Sequence, residues 1–319
     1  MVAMVRTLTG DVPADSLGRT LVHEHLAVDW GEMLGRPKYV DFDYDEMVDR
    51  MVAKMQELHA AGIDAMTECT PYGCGRYVDL FADVARRSPV RIIGSTGFFH
   101  ESWCPMHPIA RALDLDGLTD LFVREITEGM GGTLVRAGLI KIAIGEGRIS
   151  PKEEQIARAA ARARRRTGCP IIAHTTAGLG PELLDILGSE GVEPSEVIIS
   201  HVGFEPDPRA YVAALLDRGA NVSFDRIGFK VFFEDEHWLG LVRWAIEAGH
   251  IDRIMLSHDA STIAYGLEMA SGENAHTDYT YISRVFLPKL RAVGVTEEQI
   301  DTILVRNPAR ALAFAPSVA

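Results

Sequence analysis

Short runs of β-branched and apolar residues alternate along this chain with longer amphipathic stretches, at nearly regular spacing. Eight runs carry the strand pattern: Thr20–His25, Ile63–Thr70, Val90–Gly97, Leu139–Ile144, Pro170–His174, Val197–His201, Asn221–Phe224 and Arg253–Ser257. Helical spacing fills the intervals at Asp43–Ala61, Leu118–Met130, Pro151–Thr167, Pro181–Glu190, Asp207–Arg218 and Glu236–Ala248. Three more helical stretches, Tyr279–Val293, Thr296–Val305 and Pro308–Phe314, follow the eighth strand. Boundary signals agree, since Ser150-Pro151 is a cap followed by proline, and Gly62, Gly168, Gly191, Gly219 and Gly249 each follow a helical run. Strands alternating with helices, without linker or repeat, predict a single (β/α)8 TIM barrel over residues 1–319. A doubly wound open sheet is the alternative. In the barrel, residues at the carboxyl ends of the strands face one end, where active sites of this architecture lie.

The polar residues at those ends change the picture. His23 and His25 sit two apart on the first strand, so both imidazoles project from one face. Two converging neutral imidazoles are what a zinc-like cation requires, and a packed or surface pair is the plain alternative. Lys141 lies inside the apolar run Gly138–Ala143, His174 ends the fifth strand, His201 the sixth, and His258-Asp259 follow the eighth. An ammonium in a dry barrel is costly. Lys141 is therefore neutral, paired with a carboxylate, or converted by carbon dioxide into an anionic carbamate that can bridge two cations. Glu24 alternates away from the two histidines, toward packing between barrel and helices. His258 alternates away from Asp259 and is expected to orient its surroundings.

Composition narrows the setting. The chain carries 32 basic and 45 acidic residues, a formal net charge of −13, which disfavours nucleic acid or an anionic membrane as partner. Its dense basic run, Arg162–Arg166, closes a predicted helix before Gly168, where solvated cations suit the negative dipole end. Cys69, Cys74, Cys104 and Cys169 form no C-x-x-C pair, and no apolar stretch is long enough to span a bilayer. The first residues lack a signal-peptide pattern. A soluble cytoplasmic protein is expected.

The runs Thr20–Leu26, Gly138–Ala143, Ile171–Thr175, Ile198–Gly203, Phe224–Gly228 and Met255–Asp259 resemble the phosphotriesterase family of the amidohydrolase superfamily, most of all its phosphotriesterase-like lactonases. Val5–Asp11 and Asn307–Arg310 extend the resemblance nearly end to end. It implies a binuclear metal centre at the C-terminal ends of the strands. His23, His25 and Asp259 would hold the more buried cation, and His174 and His201 the more exposed one. A carbamylated Lys141 (N6-carboxylysine) and a hydroxide would bridge them. Zinc is the first expectation, with cobalt, manganese and iron also suited to these ligands. Two cations roughly 3.5–4 Å apart lower the pKa of a shared water and act as Lewis acids. Asp259 would also shuttle a proton, passed outward through His201 or another neighbour. The same resemblance implies a homodimer.

Arg226 matches a pocket-lining arginine of the lactonase branch, with a salt bridge to adjacent acids as the alternative. Phe229, Phe232 and Phe233 form either an apolar channel or a helix face packed on the core. Trp30 and Tyr72 are candidates for the pocket rim or for the core, and the long stretch Ala260–Asp278 is a candidate substrate loop. Lactonases of the family carry a tyrosine after the Thr-Gly of the third strand. Here that place is taken by Phe99, which donates no hydrogen bond, in a loop made polar by His100, Glu101 and His107. The expected activity is attack by the bridging hydroxide on a lactone or carboxylic ester, with side activity on organophosphate triesters. Asp259, Lys141 and Arg226 would serve catalysis; Phe99, Arg226, Phe229, Trp30 and Tyr72 would contact substrate. Alternatives are an amidase for N-acyl amino acids or N-acyl taurines and a primary aryldialkylphosphatase. A non-catalytic binding protein is disfavoured because all six ligand positions are filled.

Overall fold

The computed structural model of the chain describes residues 2–31, 43–103, 105–176, 178–265 and 278–315. Cys104 and most of the expected substrate loop, 266–277, lie outside them. A hairpin of β1 (Met4–Thr7) and β2 (Gly10–Pro13) leads into eight parallel strands paired in chain order. These are β3 (Thr20–Asp29), β4 (Ala65–Glu68), β5 (Arg91–Gly97), β6 (Leu139–Ala143), β7 (Ile171–His174), β8 (Val197–Ser200), β9 (Asn221–Phe224) and β10 (Ile254–Leu256). The chain then turns through Ser257–Ala260, and β11 (Ser261–Tyr265) pairs in parallel with β3. Asp259 N–H donates to the His23 carbonyl at 3.1 Å, and His25 N–H to that of Ala260 at 2.9 Å. The eighth strand thus closes the TIM barrel in two pieces rather than the single run expected.

Val22, Ala65, Ile93, Leu139, Ile172, Ile198 and Met255, from seven of the strands, fill the interior. Val5, Leu17 and Leu312, from the two ends of the chain, join that cluster. With the barrel packed solid, polar chemistry is confined to the strand ends.

Helices α1 (Tyr44–Ala60), α2 (Val78–Arg87), α3 (Pro108–Ala112), α4 (Leu115–Thr127), α5 (Pro151–Thr167), α6 (Gly180–Ser189), α7 (Pro208–Leu216) and α8 (Asp235–Glu247) surround the strands. The pattern predicted neither α2 nor α3; α2 is short, and its N-cap Tyr77 makes no capping bond. By contrast, a Ser150–Glu153 capping box and a left-handed Gly168 bound α5 where its signals lie. The basic run in its last turns is only partly solvated. Arg164 turns inward onto Glu196 and the Gly168 carbonyl. Among the described residues, no helix is long and apolar enough to cross a membrane.

Candidate metal centre

His23, His25, Lys141, His174, His201 and Asp259 line one cavity of about 350 Å³. Strand alternation alone does not deliver His23. Val22 belongs to the packed interior, yet its neighbour lines the cavity. The pairing of β3 with β4 shifts register between Leu21 and Glu24, the kind of irregularity that re-aims side chains beside a site. His201, Arg226 and Asp259 are the non-glycine residues with positive φ (59°, 64° and 60°) among those described, and all three line the cavity. Such backbone costs about 1–2 kcal/mol per residue, so surrounding bonds must hold it.

Those bonds are present. Lys141 Nζ lies 2.8 Å from His23 Nε2, and His23 Nδ1 lies 3.0 Å from Asp225 Oδ2. Asp225 Oδ1 is 2.8 Å from His201 Nδ1, and the same carboxylate accepts the His201 backbone N–H. His25 Nδ1 meets Thr70 Oγ1 at 2.8 Å, while its Nε2 meets Asp259 Oδ1 at 3.1 Å. Ligand atoms of His23, His201 and Asp259 lie within 4.8 Å of one another. His174 packs edge-on against His201, ring centroids 4.1 Å apart, with its buried Nε2 lacking a hydrogen-bond partner.

Burial dominates protonation here. Helped by the Lys141 charge, it lowers His23 to about 3, and it also takes His174 and His201 below the usual imidazole range. Neutral imidazole is the ligating form. Burial likewise lowers Lys141, favouring a free amine. For Asp259, burial alone would raise the pKa, but His201, His25, His23 and Arg226 together hold it well below the carboxylate range. Asp225 stays low against burial through His201 and His23. Glu68, 4.0 Å from His25 Nδ1, is pushed by burial up to about 7, despite His25 and Thr70. Neutral imidazoles, an ionised carboxylate and an unsatisfied buried nitrogen are a donor set that fits divalent cations.

Glu24 does not pack between barrel and helices. Its buried carboxylate accepts from Ser257 Oγ at 3.0 Å, from His258 Nδ1 at 2.9 Å, and from the backbone N–H groups of His258 and Ala260 at 2.8 Å each. Ser257 Oγ in turn accepts the His23 N–H, and His258 Nε2 accepts the Ile282 N–H. The turn carrying Asp259 is thereby clamped to β3, because the seam where the barrel closes leaves backbone donors that need an acceptor. His258 does orient its surroundings. Neither Asp225 nor Thr70 was singled out from sequence; the available signal for Asp225 was an aspartate directly after the apolar run of β9.

Arg226 fits the pocket-lining reading, and its ion pair is made with Asp259, 33 positions along the chain, rather than with an adjacent acid. It lines the cavity, and its Nε donates to Asp259 Oδ2 at 3.0 Å, with Phe232 and Phe204 rings 4.9 and 5.3 Å from the guanidinium. The direct route from Asp259 to His201 is not hydrogen-bonded: His201 Nδ1 is 4.0 Å away and engaged by Asp225. Phe229 and Phe232 line the cavity, whereas Phe233 stacks on His237 and packs against Phe204 and Trp238. Trp30 and Phe99 line it too, edge to face at 4.7 Å, as does Trp103. Tyr72 does not. Its hydroxyl donates to Glu125, its ring stacks on Phe98, and Arg76 covers it at 3.6 Å. A buried carboxylate that needs donors holds it, half-buried, against the core instead. In the polar loop, His107 caps α3 by accepting the Ile109 N–H, and the His100 ring lies 5.3 Å from His174.

Residues 3–312 match the phosphotriesterase family. The chain is 35% identical to the phosphotriesterase homology protein of Mycobacterium tuberculosis over 96% of each chain. It is 30% identical to the phospho-furanose lactonase of Mycoplasmopsis agalactiae, over 97% of this chain and 91% of that one. The fold superposes on a mutant organophosphorus hydrolase from Deinococcus radiodurans, 33% identical, with a TM-score of 0.87 over 98% of this chain and 99% of that one. Barrel, donor cluster and sequence therefore agree: the chain belongs to the phosphotriesterase family and is a metal-dependent hydrolase.

Proposed function

We propose that the chain hydrolyses an uncharged lactone or carboxylic ester at a binuclear centre, with a secondary phosphotriesterase activity. The carrying observation is that six donor side chains meet in one cavity whose wall also carries the rings of Trp30, Phe99, Trp103, Phe229 and Phe232. His23, His25 and Asp259 would hold the more buried cation, and His174 and His201 the more exposed one. Lys141 would serve both as N6-carboxylysine. Its amine, whose pKa burial lowers, would add carbon dioxide in the free-base form with formation of a C–N bond and loss of a proton, so the dry position ends with an anionic ligand. Zinc, cobalt, manganese or iron would suit this set. When bound, such a pair supplies an acidified water and polarises the bond under attack.

The remaining work falls to the chain itself. Asp259, clamped by the Glu24 bonds and ionised, accepts a proton from the attacking water. Arg226, steadied by Phe204 and Phe232, faces the cavity as a fixed cation where oxygen charge develops. Trp30, Phe99, Phe229 and Phe232 seat the apolar part of the substrate and exclude water. A lactonase and an organophosphorus hydrolase among the relatives support carbonyl and phosphoryl attack alike. Buried thiols at Cys69 and Cys169 suit a reducing cytoplasm, and the family resemblance supports a single-domain homodimer.

The Lys141→Ala variant should lose both metal, by elemental analysis, and activity, with partial return on adding a short carboxylic acid and bicarbonate. A fully active variant would refute the two-cation reading. On the wild type, a lactone kcat/KM about a hundredfold above that for amides and aryl phosphotriesters, about 2.7 kcal/mol of transition-state preference, is expected. Amides or triesters leading would move the substrate to that class.

A further inference from the structure

We propose that Asp225 is the positioning residue that joins the two halves of the centre and makes their loading cooperative; this rests on the ligand assignment above. Asp225 follows β9 directly and is wholly buried. One carboxylate oxygen lies 3.0 Å from His23 Nδ1 and the other 2.8 Å from His201 Nδ1. The two rings stand 4.6 Å apart by centroid, one assigned to each cation. An ionised carboxylate only accepts, so both Nδ1 atoms carry a proton and donate, and each Nε2 keeps its lone pair for a cation. Asp225 also accepts the His201 backbone N–H at 3.1 Å, helping to hold that residue's left-handed turn.

Sharing one carboxylate has a consequence that two separate partners would not have. Any turn of the His23 ring as it takes its cation moves the same oxygen pair that sets the tautomer and orientation of His201. The first cation therefore orders the ring that receives the second. His25 is different: its Nδ1 has its own partner in Thr70, so it is held independently of the exposed subsite.

The test is calorimetric titration of metal-free protein with zinc chloride in the presence of bicarbonate. Wild type should take two equivalents, the second no weaker than the first. In Asp225→Asn, one side-chain oxygen still accepts while the amide N–H faces the other ring. Both equivalents should weaken, by about 10–100-fold, and the cooperativity should vanish. Thr70→Val, which loosens His25 alone, should weaken one equivalent and spare the other. Two equivalents bound by Asp225→Asn with wild-type affinities would overturn the proposal, whereas a wild type that binds fewer than two would overturn the ligand assignment instead. Should Asp225→Asn fail to fold, long-range ¹H–¹⁵N spectra of metal-free wild type decide the matter. Nδ1–H tautomers are expected at both His23 and His201, and an Nε2–H tautomer at either one refutes the role of Asp225.

Discussion

Replacing Glu125 by glutamine should destabilise this barrel by about 3–5 kcal/mol, the cost of leaving a buried charge unpaired. Glu125 on α4 and Arg76 are both nearly inaccessible, with side-chain exposures of 2% and 5%. Their contact is bidentate, 2.6 Å from Nη1 to Oε2 and 2.9 Å from Nη2 to Oε1. Tyr72 and Thr96 hydroxyls donate to the same carboxylate, so it ties α4 to the ends of β4 and β5. Burial alone would raise the pKa of Glu125, but Arg76, Thr96 and Tyr72 outweigh it and leave the group below the ordinary range. Two full charges are therefore buried face to face, and Glu125→Gln strands the guanidinium. Urea unfolding of metal-loaded protein measures the loss as a lower midpoint at unchanged slope. The double variant Arg76→Met with Glu125→Leu, carrying neither charge, should recover much of it. A loss below about 1 kcal/mol in Glu125→Gln, or single losses that simply add in the double variant, would refute the reasoning. The pH sign follows from the depressed folded pKa. The contribution is full above the unfolded value of about 4.3 and disappears as pH falls through the folded one, so the deficit of the variant should shrink in acid.

Two further outcomes test the site. Glu24→Gln introduces donors where Ser257, His258 and Ala260 already donate; metal content and kcat/KM should both fall about 10–100-fold, while circular dichroism stays native. An unchanged metal content would show that the clamp on Asp259 is dispensable. Phe232→Ala should raise KM for long-chain lactones by about tenfold more than for short ones, roughly 1.4 kcal/mol of lost apolar contact. Phe233→Ala should instead lower the urea midpoint and leave the chain-length preference alone; the reverse pattern would contradict the placement of these two rings.

The closed barrel and most of the donor positions were legible in the sequence chiefly for one physical reason. Hydrophobic periodicity is local, and a βα repeat maps chain order onto angular order, so a polar residue ending each apolar run lands at a common rim. His174 and His201 follow from that rule alone. Other features were decided only by tertiary structure. The His23–Asp225 bond spans 202 residues, and the Glu24 bonds to Ser257 and His258 span 233 and 234. No local pattern specifies such partners: the Glu24 bonds form where the last strand meets the first, and Asp225 reaches His23 from the end of β9. Tyr72 and Phe233 point the same way. Both sit in aromatic contexts that read equally as pocket or core, and the choice fell to Glu125 and to the packing of α8. Periodicity and burial placed most of the donors at the rim; the pairing of neighbouring strands and the closure of the barrel determined which buried groups hold them there.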